Sequence, residues 1–322
     1  MSTQHSSIES ITPVCAFAFQ DGNATPARLN DKPPASGYLW LHLDLNESLA
    51  EQWLASQLPD IPARAIVNTQ TRPRCDVMDE GVLLNLRGVN LNPAASPDDM
   101  VSLRLWVTEN RIISVRLRKV FAIDAIRKKA ETGQGPTSVG AFLVELIGNL
   151  TRRIESVVNE IEETTDEIEE ALSEETISIE EITKARMTTI KLIRYMSPQR
   201  EALDDLIEQS IPWLDESALA LISEYGNRNR RILETLDATR ERLTALRDFV
   251  EAERANVLNR NSYLLSVIAA IFLPLGFLTG LFGVNVAGMP GTELASAFWY
   301  LTLGSIVAGA ALYIVFKLLK WL

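Results

Sequence analysis

Two long apolar stretches without any charged residue dominate the C-terminal part of the chain. Residues 264–282 and 298–316 are each 19 residues long and contain no Asp, Glu, His, Lys or Arg. At a rise of about 1.5 Å per residue, each could form a helix that crosses the roughly 30 Å hydrocarbon core of a membrane. Uncharged runs of this length are a strong signal for such helices. The pattern therefore predicts two membrane-spanning helices joined by a short loop.

A helical pattern precedes the first apolar stretch and continues into it. From about residue 215, apolar side chains recur every three or four positions, and no proline or capping signal interrupts them before Pro274. Only Gly226 weakens the pattern. A single helix over residues 216–282 would be about 100 Å long. One domain does not need a helix of that length, so we expect a stalk that enters the membrane and associates with other copies.

The first 135 residues show a mixed pattern of short strands and helices. Alternating or continuous apolar runs predict strands at residues 12–20, 37–45, 77–89, 100–107 and 112–117. The last two strands should form a hairpin, because residues 107–111 between them predict a tight turn. Helical spacing predicts a helix at 48–58 with Ser48 as its N-cap, a short helical turn at 62–68, and a helix at 121–131. We expect an α/β domain.

Helical periodicity returns after residue 136, in an acidic region. Thr137 or Ser138 would cap a first helix, and Ser178 with Glu181 matches the capping box of a second, antiparallel helix. The second helix should be interrupted at two prolines, Pro198 and Pro212. Residues 155–181 (Glu155 to Glu181) contain twelve acidic side chains. They indicate either a solvated helix face or a surface that attracts cations and binds regulatory metal.

These patterns together predict an α+β membrane protein. Its expected parts are a cytoplasmic α/β domain at 1–135, cytoplasmic antiparallel helices at 136–213, a stalk helix at 214–282 that includes the first span, an external loop at 283–297, the second span at 298–316 and a basic tail at 317–322. Basic residues flank both spans but are missing from the loop; they are Arg247, Arg254, Arg260, Lys317 and Lys320. The positive-inside rule therefore predicts that both termini are cytoplasmic.

Composition and charge exclude several classes of function. A net charge of −11 argues against nucleic-acid binding and is compatible with cations. Cys15 and Cys75 form no CxxC motif, which favours a reducing compartment. The N-terminus has no apolar signal, so we expect the two spans to target the chain to the cell inner membrane. The sequence has no P-loop, nucleophile elbow, HExxH or dinucleotide-binding loop, so we expect neither an enzyme nor an organic cofactor.

A stripe of small or polar residues runs along the stalk and the first span. It recurs at intervals of three, four, seven or, once, eleven residues and comprises Asp248, Asn259, Ser262, Leu265 (or Ser266), Ala269, Leu273, Gly276 and Gly280. Two helices cannot enclose a water-filled path, so such a stripe predicts a pore only if several copies assemble. Small residues equally serve helix packing in membranes. Pro274 frees a backbone carbonyl in the span, which indicates a lined cavity.

The end of the first span carries the sequence Gly283-Val284-Asn285. One Asn285 from each of several subunits would form a ring of neutral oxygens that holds a hydrated divalent cation weakly, as conduction requires. The alternative is a helix C-cap, because Gly and Asn accept left-handed backbone conformations there.

At these residues the chain resembles the CorA family of divalent-cation transporters, which carry two spans and a Gly-x-Asn signature. The resemblance rests on FLPLGFLTGLFGVNVAGMPG at 272–291 and KWL at 320–322, and on shorter matches in the soluble part such as WLHLD at 40–44 and YMSPQR at 195–200. It implies a homopentameric funnel in which the stripe lines the pore and Gly283, Val284, Asn285 and Glu293 form the entrance. Val284 replaces the methionine usual in magnesium-transporting members, which favours the zinc branch. The alternative is a broader channel for magnesium, cobalt or nickel.

The residue types limit how such a protein could handle zinc. Zinc sites use Cys, His or carboxylate ligands. The soft ligands of the chain are His5, His42, Cys15 and Cys75, and none lies near the spans. We therefore expect a largely hydrated ion that binds Asn285 only transiently. The spans contain no titratable carboxylate or histidine, so proton coupling, which the zinc branch implies, would depend on Glu293, Asp248 or the acidic helices. The competing hypothesis from another class is a membrane-anchored scaffold or sensor.

Overall fold

The structure is a computed structural model, and it describes residues 11–69, 71–172, 178–284, 289, 291 and 294–319. The chain divides into two compact units, Met1–Arg247 and Asp248–Leu322. The first unit contains the sheet and the polar helices, and the second contains the two apolar helical segments.

Seven strands form one mixed sheet in the first unit. They are β1 (Cys15–Gln20), β2 (Asn23–Pro26), β3 (Tyr38–Asp44), β4 (Arg74–Met78), β5 (Gly81–Gly88), β6 (Val101–Val107) and β7 (Arg111–Arg116). Their order across the sheet is β2-β1-β3-β7-β6-β5-β4. β3 and β7 run parallel, and the other neighbouring pairs run antiparallel. The predicted hairpin of β6 and β7 is confirmed.

Two turns of this sheet differ from the sequence prediction. Asp21 and Gly22 have φ values of 50° and 80°, so they form a left-handed two-residue turn into β2, a strand that the prediction lacked. The prediction of a single strand at 77–89 is wrong, because the chain reverses after Met78 and returns from Gly81 as β5. A Cβ at Gly81 would lie 2.5 Å from the Val107 carbonyl oxygen, so this return needs glycine.

Seven helices are described. They are α1 (Ala50–Gln57), α2 (Asp60–Val67), α3 (Phe121–Glu131), α4 (Val139–Leu172), α5 (Ile179–Glu208), α6 (Glu216–Gly283) and α7 (Ala297–Leu318). The expected unbroken helix that contains the first apolar stretch is confirmed as α6, which is 68 residues long. Residues 62–67 belong not to a single turn but to the eight-residue helix α2, and Asn68 follows its end.

Side-chain oxygens cap three of the long helices. The Ser138 hydroxyl accepts from the Ala141 N–H at 3.1 Å, the Ser178 hydroxyl accepts from the Glu180 N–H at 3.1 Å, and the Asp215 carboxylate accepts from the Ala218 N–H at 2.7 Å. These contacts satisfy N–H groups that have no partner inside their own helix. The expected caps at Ser138 and Ser178 are confirmed, although the Ser178 hydroxyl accepts from the N–H of Glu180 and not from that of Glu181.

Two helix boundaries were predicted wrongly. Ser48 is not an N-cap, because α1 begins at Ala50 and Leu49 precedes it without a side-chain cap. Pro198 does not interrupt α5, which continues to Glu208 and ends before Pro212. Proline removes one N–H and one helical hydrogen bond. That loss is offset here because buried side chains flank it on α5, among them Met196, Ala202 and Leu203.

Helices cover both faces of the sheet. On one face, α1 and α2 bury Trp53, Leu54 and Ile66 against the strands. On the other face, α3, α4, α5 and the first part of α6 enclose a larger core around Trp40 and Phe142, whose ring centroids are 5.0 Å apart. Burial of these aromatic and aliphatic side chains stabilises the first unit.

The acidic part of α4 is paired with arginines of α6. The Arg242 guanidinium donates to Asp166 at 2.6 Å and to both Glu169 oxygens at 2.9 and 2.6 Å. Arg228 lies 3.9 Å from Glu155. Part of the acidic run thus faces basic side chains of the same unit and is solvated around them, which favours the first of the two alternatives for this run.

Candidate functional site

The membrane helices of the second unit have one face each that is less exposed than the rest. On α6 this face contains Val267, Ala270, Ile271, Leu275 and Leu278. On α7 it contains Ala297, Leu301, Thr302, Ser305, Ala308, Gly309, Leu312 and Phe316. A Cβ at Gly309 would lie 3.5 Å from Leu275 Cδ1, so the two faces pack against each other there.

The predicted stripe lies on the other side of α6. At about 100° per residue, its positions from Ser262 to Gly280 centre roughly half a turn away from the face that meets α7. All of them are exposed; they are Ser262, Leu265, Ala269, Leu273, Gly276 and Gly280. Leu265 is 68% exposed and Leu273 is 72% exposed. A Cβ at Gly276 or Gly280 would meet no atom within 4 Å in the described part of the chain. The small residues of the stripe therefore do not serve the packing of α6 on α7.

The polar end of the stripe is also exposed. Asp248 and Asn259 are exposed, and so is every residue from 251 to 266. This stretch of α6 has no packed face within the described residues of the second unit, so its polar side chains cannot be assigned to one side as the later positions can. Ser266, the alternative to Leu265, donates its hydroxyl proton to the Ser262 carbonyl at 2.9 Å, which leaves only its lone pairs for other contacts.

Pro274 does not belong to the stripe. Helix α6 continues through it, and at about 100° per residue its position lies about 40° around the helix from Ala270 but about 100° from Leu273. The carbonyl that it leaves without a helical partner is that of Ala270, on the side that meets α7. Pro274 therefore gives no support to a cavity on the stripe side, and the lined cavity that it indicates in the sequence stays a prediction.

The predicted entrance is only partly described. Gly283 is the last residue of α6 and lies outside the positive-φ region, so it is not a left-handed capping glycine. Val284 follows it and is 54% exposed. Asn285 and Glu293 lie outside the described residues, and their roles remain predictions.

The soft metal ligands among the described residues, Cys15, His42 and Cys75, lie in the sheet and are unsuited to zinc, whereas His5 lies outside the described residues. Burial raises the pKa of the Cys15 and Cys75 thiols to about 12, so both remain protonated at neutral pH. Burial lowers the pKa of His42 to about 3, and its Nδ1 lies 2.9 Å from the Ser114 hydroxyl. In the described part of the chain, no three His, Cys, Asp or Glu side chains form a group that could hold a metal ion.

The family of CorA-like Mg²⁺ transporter proteins matches residues 35–318, which include strands β3–β7 of the sheet, the long helices and both apolar segments. This chain belongs to the CorA family. It is a family of transporters and not of enzymes, and the two apolar helices, which are hardly buried within the described residues, agree with a protein of the membrane.

Two relatives show how far the similarity extends. The zinc transport protein ZntB of Pectobacterium carotovorum is 36% identical over 94% of this chain and 93% of its own length. The divalent cation transporter CmaX of Pseudomonas aeruginosa is 35% identical over 88% of this chain and 87% of its own length. The solved structure of full-length CmaX superimposes with a TM-score of 0.82 and covers 96% of this chain and 98% of that one. The expected fold, with an α/β sheet domain, long helices and two C-terminal apolar helices, is confirmed.

Proposed function

We propose that the protein transports zinc ions across the cell inner membrane, through a homopentameric pore lined by the stripe of α6. The observation that carries the proposal is the position of the stripe. Its positions from Ser262 to Gly280 are exposed in the single chain and face away from α7, as expected for a surface that other copies of α6 would enclose.

An assembly of several copies is supported by the two apolar helices themselves. Two helices cannot surround an aqueous path, and small residues at Gly276 and Gly280 let neighbouring backbones or a hydrated ion approach closely. Apolar positions such as Leu265 and Leu273 would form constrictions between wider polar rings, which is one way in which channels gate. Five subunits is the number that the resemblance to the CorA family implies.

Zinc is supported by the similarity to ZntB and by Val284 in the position that is usually methionine in magnesium-transporting members. The ion would pass largely hydrated and meet the neutral oxygen of Asn285 at the entrance. The second candidate is a broader divalent-cation channel that accepts magnesium, cobalt or nickel. It is favoured by the similarity to CmaX, whose name specifies no single ion.

The orientation that we propose has both termini in the cytoplasm. It is supported by Arg254 and Arg260 before the first span and Lys317 after the second, whereas the connecting loop has no basic residue. In this orientation the sheet domain and α3–α5 are cytoplasmic and Asn285 and Glu293 face outward.

Uptake of radioactive zinc into proteoliposomes tests the proposal. We expect zinc flux from the wild-type protein, competition by excess zinc stronger than by excess magnesium, and loss of flux in Asn285→Ala. The matched control is Asn159→Ala, which removes the same side chain from an exposed position of α4 and should leave flux unchanged. A wild-type protein without flux of zinc, magnesium, cobalt or nickel would leave the anchored scaffold as the better hypothesis. Equal competition by zinc and magnesium would favour the broader channel.

Proton coupling is tested separately. We propose Glu293 and Asp248 as the carboxylates that could exchange protons with either side, because the two spans contain no Asp, Glu or His. Zinc uptake should depend on an imposed pH gradient in the wild type and lose that dependence in Glu293→Gln or Asp248→Asn. If both variants keep the dependence, these two carboxylates do not couple transport to protons.

A further inference from the structure

A basic pocket lies in the first unit, beside the sheet. It has a volume of about 520 Å³ and is bordered by β5, β6 and α5. Five basic side chains and two carboxylates line it; the basic ones are Arg87, Arg104, Arg118, Lys191 and Arg194. This excess of positive charge is unexpected in a chain with a net charge of −11. The volume falls in the range of about 300–1,000 Å³ in which proteins bind small molecules.

Two of these arginines are fixed by neutral backbone oxygens. Arg87 on β5 donates to the Met100 carbonyl at 2.8 Å and the Thr71 carbonyl at 2.7 Å, and its guanidinium lies 4.4 Å from the centre of the Tyr195 ring. Arg104 on β6 is 1% exposed and donates to the Ile66 carbonyl at 3.0 Å, in the last turn of α2. These contacts hold both guanidinium groups in place but do not neutralise their charge.

The carboxylates of the pocket are engaged by lysine. Asp98 lies 2.8 Å from Lys191 Nζ and Asp99 lies 3.7 Å from it. Within the described residues, no carboxylate oxygen lies within 4.0 Å of a guanidinium nitrogen of Arg87, Arg104, Arg118 or Arg194. In this part of the chain, the four arginines of the pocket thus have no anionic partner.

The two strand arginines of the pocket, Arg87 and Arg104, each have a buried nitrogen, Nε, without a hydrogen-bond partner among the described residues. Burial, and then the positive charge of Arg87, lower the pKa of Arg104 to about 10, which still leaves it charged at neutral pH. A buried charge without a counterion is costly, and the cost falls when an anion binds beside it.

A purely structural role accounts for only part of this arrangement. Arg104 caps the negative end of α2, and Arg87 joins β5 to the chain segments at Thr71 and Met100. Neither task explains why two like charges approach each other in one pocket, or why Arg118 and Arg194 add exposed guanidinium groups at the same place.

We propose that this pocket binds a small phosphate-bearing anion. Guanidinium groups present paired N–H donors that match the oxygens of a phosphate group, and several of them around one cavity favour multiply charged phosphates. Lys191 and Arg194 lie on α5 and the other basic residues lie on or beside the strands, so a bound anion would connect α5 to the sheet. The proposal concerns a site in the first unit and does not depend on the transported ion.

Equilibrium binding to the purified full-length protein tests this site. We would measure binding of inorganic phosphate, pyrophosphate and ATP by titration calorimetry, with sulfate and chloride as comparison anions. Pyrophosphate should bind saturably and more tightly than sulfate. The double variant Arg118→Gln/Arg194→Gln should weaken that binding at least about tenfold, since each removed guanidinium loses charge-assisted hydrogen bonds. ATP binding without pyrophosphate binding would identify a nucleotide as the source of the phosphate.

The controls keep the test decisive. Arg64→Gln removes an arginine from an exposed position of α2, outside the pocket, and should bind pyrophosphate like the wild type. Both arginines of the double variant are exposed, so circular dichroism should show an unchanged fold. The proposal fails if no phosphate-bearing anion binds saturably, if sulfate and chloride bind equally well, or if Arg64→Gln weakens binding as much as the double variant.

Discussion

The two units place the same kinds of side chain in opposite environments. In Met1–Arg247, large apolar residues are buried in cores on both faces of the sheet, and Trp40, Trp53 and Phe142 are 0% exposed. In Asp248–Leu322, comparable residues are exposed, and Phe272 and Phe277 are 67% and 68% exposed. The first unit buries its large apolar side chains within itself. The described residues of the second leave an apolar surface of the kind that lipid or other copies of the chain cover.

The largest effect should separate buried from exposed phenylalanines. Phe142→Ala removes a ring that packs 5.0 Å from Trp40 and 6.2 Å from Tyr38, and should lower the free energy of unfolding by about 3–5 kcal/mol. The same change at Phe277 should alter it by less than about 0.5 kcal/mol. Chemical denaturation in detergent, followed by tryptophan fluorescence, measures both. Equal losses of unfolding free energy would mean that protein atoms bury Phe277, and the two units would then not differ in this respect.

How well the sequence predicts each unit depends on the range of the interactions. Apolar runs, the period of α6 and the caps at Ser138 and Ser178 are local, and each is confirmed. The reversal between Met78 and Gly81 was missed because Asp-Glu interrupts an otherwise continuous strand pattern without a strong turn signal. A proline such as Pro198 gives a strong local signal that the packing around α5 overrides.

The candidate sites follow the same rule. The stripe of α6 could be listed from the sequence, but its position relative to α7 depends on which face meets Leu275 and Gly309. The basic pocket could not be predicted, because Arg87, Arg104 and Arg194 are far apart in sequence and meet only through the sheet register and the packing of α5.

Acid should destabilise the first unit through His42. Its pKa is lowered to about 3 by burial, whereas the unfolded chain should have a value near 6.5, so only the unfolded state gains a proton as pH falls below about 6.5. Stability contributed by this histidine is therefore present above pH 6.5 and decreases towards pH 3. Between pH 6.5 and 4.5 the loss should be about 2 kcal/mol.

The variant His42→Asn isolates this contribution. The difference in unfolding free energy between wild type and variant should shrink, or reverse, as pH falls from 6.5 to 4.5, because asparagine does not titrate. Urea denaturation at several pH values measures it. Parallel pH profiles of the two proteins would show that His42 is protonated in the folded state or does not control acid stability.

Zinc flux should depend on side-chain size on one helix face of the second unit and not on another. Ala269 lies on the stripe of α6, whereas Ala310 is an exposed alanine of α7 outside the face that meets α6. If the stripe lines a pore, Ala269→Phe adds one ring per subunit to a narrow path and should lower zinc flux at least about tenfold. Ala310→Phe adds the same ring towards lipid and should change flux less than about twofold. Equal effects in the proteoliposome assay would assign the stripe to helix packing.

The smallest effect concerns the polar contact between α4 and α6 in the first unit. Arg242 binds Asp166 and Glu169 across the two helices, and these hydrogen bonds raise the pKa of its guanidinium. Its side chain is 37% exposed, so water and salt screen the charges, and Arg242→Gln should lower the free energy of unfolding by only about 0.5–1 kcal/mol. The matched control is Arg240→Gln, whose partner Asp237 lies on the same helix at 3.1 Å. Because only Arg242 joins two helices, its variant should lose more stability than the control, and the difference should decrease in high salt. A difference that is absent in low salt would mean that the contacts of Arg242 with Asp166 and Glu169 do not help to hold α4 on α6.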